Sequence, residues 1–403
     1  MSVISVYRPF FNWSEFLAVL QPGAGRSDFE AAVAERTGAR YGVAFAYGRS
    51  GVVALLKALG LSQVEVIMPA YTCSVIIEAV IASANIPVFV DIDLTDYNMD
   101  IGAIKAAVTP QTRAIVATHM HGYPTDIAAI RREIGDERIL VIEDSALALR
   151  PAWSGAIESA GDVTFFSFGR GKQLYTISGG VMTTNSVTLY ERLKAYRDTE
   201  MNRLPGSAWR RRCLQLLTAY LAQSAALESS LSRIKNVGPV KQARDAVGLV
   251  RALMPRDYAT AYADFQGRLG LAQLRKLEVA LEQNTAIAEF YSRELQNVPG
   301  LRPAPIIPGS TYARYSVQIE RRDEIAFSRR MRDQGVEVGL NFNYALPCLK
   351  PYQTYARGRY PLSEQAAAQT VNLPIYPGLS MSEARHVVTT TQRVLQEVAP
   401  SLA

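Results

Sequence analysis

The chain has little histidine, little cysteine and no long apolar run. Of 403 residues, three are histidine (His119, His121, His386) and three are cysteine (Cys73, Cys213, Cys348). Three widely separated cysteines supply neither a disulfide framework nor metal-ligand spacing. One close histidine pair does not make a histidine-rich metal centre, so no metal is expected. No stretch reaches the roughly 18 uncharged apolar residues a membrane span requires. The N-terminal residues MSVISVYRPFFNW lack a basic region leading into an apolar core, so no signal peptide is expected and a reducing cytoplasm is the expected location. Excess charge is also scarce. The net charge of +6 is spread along the chain except at Arg210-Arg211-Arg212. It suits anionic ligands weakly and gives no reason to expect nucleic acid. No internal repeat or low-complexity segment is present.

What remains is an ordinary globular composition, 48% hydrophobic and 20% charged, long enough for two or three domains. Ser27 followed by Glu30 predicts a capped helix over 27–37. From about residue 40 to 185, short apolar runs alternate with helical patterns: AFAY, VEVIMP, IPVFVDID, RAIVATHMHG and ILVIEDS are the strands. Near-continuous apolar strands alternating with helices predict a mostly parallel α/β sheet with right-handed crossovers. Ligands of such sheets bind at the carboxyl ends of the strands. Gly48 to Ser50, Tyr71 to Cys73, His119 and Asp144 fall there. Residues 186–255 are helical and arginine-rich, with a long amphipathic pattern over 209–234. Continuous helical periodicity covers 265–295. Beyond Pro299-Gly300 the pattern becomes a smaller α+β domain with strands at YARYSVQIE and VEVGLN, a tyrosine- and proline-rich loop over 346–362, and a closing helix.

The chemistry centres on residues 163–185. An apolar strand runs into Ser167, then Phe168-Gly169-Arg170-Gly171, Lys172, a Gly179-Gly180 pair and a second strand. Glycine permits close backbone approach to a ligand. A lysine presented there, desolvated and beside another cation, can lose its proton and form an imine. The plainer reading of the same residues is a hairpin with a surface lysine. Asp144 ends a buried strand, where a carboxylate needs a cationic partner. A pyridinium nitrogen is such a partner, and the carboxylate keeps it protonated. Gly48, Arg49 and Ser50 open a helix whose free N–H groups suit a phosphate, and Ser167 can add a hydroxyl. Lysine, aspartate, phosphate cup and serine together meet the requirements of a pyridoxal phosphate site. Other readings stay open for single residues. Asp144 also suits a helix N-cap, His119 a core histidine, Arg49 the surface, and Cys73 a small core residue. A desulfurase-like role is conceivable for Cys348, and the arginine cluster suits a solvated helix face.

On these stretches, together with VIMPAYTCSVIIEAV, ATHMHGYPTDIAAI, GLAQLRKLE and VNLPIYPGLSMSEARHVV, the chain resembles the DegT/StrS family of PLP-dependent (sugar) aminotransferases from about residue 27 to 395. The resemblance implies an aspartate-aminotransferase-like (PLP fold-type I) architecture. An N-terminal arm would span 1–26, a large PLP-binding domain 27–255 with a helical insertion at about 200–255, and a linking helix and small C-terminal α+β domain 256–403. It places the cofactor lysine on Lys172, the pyridinium carboxylate on Asp144, the phosphate-cup serine on Ser167 and the helix-opening turn on Gly48, Arg49 and Ser50. The ring-stacking aromatic's place holds Cys73, and Tyr71 is the alternative. Leu147 stands where the family has Gln or His, Ile177-Ser178 precede the Gly179-Gly180 pair, and Ala259 stands in the Asn-bearing motif that reaches a partner subunit.

The implied activity is amino transfer from an amino-acid donor, glutamate in the family, to a keto acceptor such as a keto-sugar, in a homodimer with shared active sites. A PLP-dependent lyase or dehydratase and a non-catalytic regulatory protein are the rival readings. The segment from Trp209 to Ile234 has three candidate roles: gating or acceptor binding, contact with an anionic membrane surface, and plain packing.

Overall fold

The apolar runs form a seven-stranded sheet: β1 (Tyr41–Phe45), β2 (Glu65–Pro69), β3 (Ile86–Val90), β4 (Thr112–Thr118), β5 (Leu140–Asp144), β6 (Val163–Ser167) and β7 (Gly180–Thr184). The computed structural model describes residues 3–20, 22–150, 161–201, 206–221, 254–320, 324–340 and 342–398. The strand order is β1-β7-β6-β5-β4-β2-β3. Strands β2 to β6 run parallel to one another, and β7 alone runs against the rest, between β6 and β1. The expectation of a mostly parallel sheet is met.

Helices cover both faces, which is why the strands are apolar on both sides. They are α1 (Trp13–Leu20), α2 (Arg26–Arg36), α3 (Gly48–Ala58), α4 (Ser74–Ala82), α5 (Ile101–Ala107), α6 (Ile127–Ile134), α7 (Val187–Glu200) and α8 (Gly206–Leu221). Local chemistry sets several of their ends. Asp100 and Asp126 cap α5 and α6 by accepting from the N–H groups of Ala103 and Ala129, and Gly135, at φ 64°, closes α6. Helix α2 begins one residue earlier than its Ser27-Glu30 signature predicts. Asp28 accepts the Gly25 N–H at 2.7 Å, while Glu30 is drawn away to the Ala44 N–H and to Arg197.

After α8 come α9 (Asp264–Leu274), α10 (Leu277–Leu295), α11 (Glu324–Asp333), α12 (Pro361–Gln369) and α13 (Met381–Val398), with a small antiparallel sheet of β8 (Leu301–Arg302), β9 (Tyr315–Ile319) and β10 (Thr370–Leu373). The continuous periodicity over 265–295 is broken at Lys276, whose ammonium lies 2.5 Å from Glu15 and 3.0 Å from the Phe10 carbonyl. That contact with the N-terminal segment turns the chain without glycine or proline. The strand expected at VEVGLN reduces to isolated bridges, Val336 to Ile4 and Gly339 to Asn372. The second partner of β9 is instead β10, which its short TVNL run does not announce.

A core containing Tyr71, Ile92 and Met120 from the large sheet's carboxyl edge, and Tyr315, Val317 and Leu373 from the small sheet, sets the small sheet over that edge. Of the long amphipathic pattern over 209–234, residues up to 221 belong to α8, and 222–234 lie outside the described residues, as does most of the segment up to 255. Within α8 the arginine cluster is not a uniformly solvated face. Arg210 is exposed, Arg211 pairs with Asp257, and Arg212 is 1% exposed. No helix among the described residues is long and apolar enough to cross a membrane, and they contain no cluster suited to a metal.

Candidate active site

The carboxyl ends of β1, β2, β5 and β6 bring the expected residues to one edge. Register decides this. In β5, Asp144 is the last residue and faces Phe165 of β6 and Thr118 of β4. Asp144 is buried, and its Oδ1 accepts the Ala146 N–H at 3.0 Å. Burial pushes its carboxyl up from the ordinary range, while Lys172, the Ala146 N–H and His119 pull it down.

Lys172 follows β6 in a turn whose N–H bonds back to the Gly169 carbonyl at 3.3 Å. Burial lowers its pKa from the usual lysine value. Cys73 and Asp144 raise it, and the Arg314 and Arg49 charges lower it further. The lysine is therefore held beside its carboxylate with a larger neutral fraction than a surface lysine, the state that attacks a carbonyl.

Two glycines bring the phosphate cup together. A side chain at Gly180 would lie 2.6 Å from both the Gly48 nitrogen and the Phe166 carbonyl, so the N-terminus of α3 rests directly on the tip of β6 and β7. The same contact puts Ser167 Cβ 3.2 Å from where a Gly48 side chain would begin. Tyr47, at the N-cap of α3, gives no side-chain bond to the first turn. These N–H groups, beside Ser167, present the partial positive charge of a helix end.

Two members of the expected cup are already engaged. Arg49 pairs with Glu78 at 2.7 Å, and the Ser50 hydroxyl donates to the Tyr258 carbonyl at 2.6 Å. Burial raises the Glu78 carboxyl to about 7, so its hold on Arg49 weakens on the acid side of neutrality. Tyr71 is fully buried, its ring 5.9 Å from Tyr97 and 6.2 Å from Phe342. Cys73, the N-cap of α4, is the one of the pair that senses Lys172 and Asp144, and burial keeps its thiol protonated. His119 is a satisfied core histidine. Its Nδ1 accepts the Thr125 N–H at 2.9 Å, which leaves Nε2 to donate to Glu143 at 3.2 Å.

One neighbour went unread in the sequence. Arg314 donates to the Gly171 carbonyl at 2.7 Å, and its charge depresses the pKa of Lys172. Its only sequence signal is a lone arginine leading into an otherwise apolar or neutral strand.

The donor set fits pyridoxal phosphate. A depressed lysine would serve the aldehyde, a buried carboxylate the ring nitrogen, and a glycine-cleared helix end with Ser167 the phosphate.

Comparison with known proteins agrees. The model of the DegT/DnrJ/EryC1/StrS aminotransferase family matches residues 17–392. The chain is similar to the uncharacterized protein MJ1066 of Methanocaldococcus jannaschii, 26% identical over 379 residues, 92% of this chain and 89% of that one. It is 25% identical over 389 residues to the spore coat polysaccharide biosynthesis protein SpsC of Bacillus subtilis, 94% of this chain and 91% of SpsC. Among solved structures, the aminotransferase TlmJ from Streptoalloteichus hindustanus superposes with a TM-score of 0.77 at 26% identity, covering 98% of this chain and 100% of that one. Solved structures of the same fold are in PLP or PMP form. The fold is that of the PLP fold-type I aminotransferases.

Proposed function

The chain belongs to the DegT/DnrJ/EryC1/StrS aminotransferase family, and from that premise we propose that it moves an amino group from glutamate to a keto-sugar. The observation that carries the reading is the convergence of Lys172, Asp144 and the glycine-cleared start of α3 on one sheet edge. SpsC, a relative by name concerned with polysaccharide biosynthesis, supports a sugar acceptor.

In this reading Lys172 would anchor the cofactor, Asp144 would serve the ring nitrogen, and the first turn of α3 (Gly48, Arg49, Ser50) with Ser167 would hold the phosphate. Tyr71 and Cys73, in the loop after β2, would border the ring. When bound, pyridoxal phosphate supplies an electron sink for the donor's α-carbon. Lys172 Nζ is the base that removes the α-proton and the acid that returns it. Its depressed pKa leaves the lone pair available, and the neighbouring Asp144 favours the protonated form once the proton is taken. The neighbouring Lys172 charge works against the burial that raises the Asp144 carboxyl.

The chain is read as an N-terminal arm (1–26), a large domain (27–255) and a smaller C-terminal domain (256–403), working as a homodimer. Trp13, Leu17 and Leu20 of α1 and Leu214 and Leu217 of α8 are exposed apolar side chains on adjoining helices, a surface suited to a second copy.

The test is spectroscopic. Protein reconstituted with pyridoxal phosphate should show a visible band that glutamate bleaches, and a panel of nucleotide-linked keto-sugars should restore it. A band that no amino donor changes would overturn the reading.

A further inference from the structure

We infer that Glu78 is a positioning residue for the cofactor's phosphate: it holds Arg49 at the start of α3 and takes up a proton when the phosphate is seated there. The inference rests on the cofactor reading above.

Arg49 is the second residue of α3, in the turn whose N–H groups receive no side-chain bond from the N-cap. Its charge reaches both Lys172 and Cys73, so the guanidinium lies toward the candidate active site. Among the described residues its one ion-pair partner is Glu78 of α4, at 2.7 Å. Glu78 is 4% exposed. Its Oε2 accepts the Arg49 hydrogen bond, while its Oε1 is buried with no hydrogen-bond partner among the described residues. A buried carboxylate with one oxygen unmet is poorly stabilised, and protonation relieves that.

Three groups face Glu78. Arg49 comes from α3, Ser74 from the first turn of α4 itself, and Tyr352 from the tyrosine- and proline-rich loop. Arg49 and the Ser74 hydroxyl pull the Glu78 carboxyl down, but burial outweighs them and holds it up at about 7. Tyr352 adds no negative charge, because burial and the Glu78 charge keep its phenol protonated.

Charge then decides what the cup offers. With Glu78 ionised, the Arg49–Glu78 pair is neutral, and the helix end with Ser167 stands alone. With Glu78 protonated, the guanidinium keeps its charge and has no counter-ion. A phosphate dianion is one. An ionised Glu78 and a dianion on the same guanidinium repel each other, so each disfavours the other. Seating the phosphate therefore raises the Glu78 pKa further and draws in a proton. The sign follows by linkage. Binding should weaken as pH rises above 7, by up to about tenfold per unit. The second ionisation of the phosphate itself, at about pH 6, acts the other way and bounds the window from below.

The experiment is calorimetric titration of the cofactor-free protein with pyridoxine 5′-phosphate, which carries the phosphate but no aldehyde and so cannot bond to Lys172. Buffers of different ionisation enthalpy count the protons taken up, and a series from about pH 7 to about pH 8.5 gives the slope of Kd. Protons gained at the ring nitrogen or at Lys172 are common to wild type and Glu78→Gln, so the difference between the two reports Glu78. Wild type should take up about half a proton more than Glu78→Gln at pH 7. The glutamine keeps an acceptor for Arg49 without the charge, so the variant should bind about tenfold tighter than wild type at about pH 8. A merely structural loss would instead weaken binding at every pH. A wild type that does not bind pyridoxine 5′-phosphate overturns the cofactor reading and this inference with it. Equal proton uptake in the two proteins overturns the inference alone. So does a wild-type Kd that stays flat across the series, which decides the matter even where Glu78→Gln does not fold.

Discussion

Lys172 and Asp144 each shift the other's titration, and their predictions are coupled. Lys172→Ala should abolish both the visible band and turnover, because no other described lysine lines this edge of the sheet. Wild-type turnover in that variant would remove the lysine from the mechanism. The titration of Lys172 has a definite sign. Desolvation disfavours the ammonium, so the cofactor-free protein should acylate at Lys172 with a midpoint below the ordinary 10.5, read by mass spectrometry across a pH series. Asp144→Asn removes a charge that favours the ammonium, so the midpoint should move further down; an upward move would contradict the pairing. The same substitution should cut kcat by orders of magnitude, at about 1.4 kcal/mol per tenfold, because an amide cannot hold a ring nitrogen protonated. An unchanged kcat would put the ring's partner elsewhere. At this scale much was legible. Lysine and carboxylate are rare enough at strand ends to be conspicuous. The pairing of Arg49 with Glu78 and of Ser50 with the Tyr258 carbonyl was not legible, because the partners are 29 and 208 residues away in sequence.

Helix α8 shows how an element can mislead when read by periodicity alone. Its arginine triplet looks like a solvated stripe, yet successive residues of a helix point about 100° apart, so one of three can face inward. Arg212 does. It donates to the Ala261 carbonyl at 2.9 Å, Gln266 Oε1 at 3.1 Å and Thr260 Oγ1 at 2.9 Å. Gln266 in turn donates to the carbonyls of Thr176 and Ser178, in the loop that follows Lys172. Arg212 thus ties α8, through α9, to the lysine loop. Arg212→Met keeps the apolar stem but leaves buried acceptors unpaired, at a cost of about 3 kcal/mol. Chemical denaturation should show that loss, and limited proteolysis should cut within residues 206–221 sooner than in wild type. Unchanged stability and cleavage would make the buried bonds incidental.

The whole molecule sets a small sheet over the carboxyl edge of a large one, with α10 and the N-terminal segment closing the seam beside Lys172. The homodimer proposed here should appear in light scattering at about twice the 44.3 kDa of one chain. Trp13→Glu together with Leu214→Glu, on the exposed apolar face of α1 and α8, should shift it toward monomer with loss of turnover. A monomer as active as wild type would sink the shared-site arrangement.

Local pattern was enough for the α/β alternation, the strand ends, the lysine turn and the glycine-cleared helix start, because these depend on residues close in sequence: apolar runs, glycine's freedom and short connections. It was not enough for features made by distant segments. The break at Lys276 comes from Glu15 and Phe10, the third strand of the small sheet comes from pairing with β9, and the inward turn of Arg212 comes from acceptors about 50 residues away. Arg314 belongs to the same class. Alone it is one arginine ahead of a strand; folded, it lies on the Gly171 carbonyl, 143 residues back along the chain and next to Lys172. A buried charge acquires its meaning from what tertiary contacts do or do not place beside it, and no local pattern in the sequence encodes that.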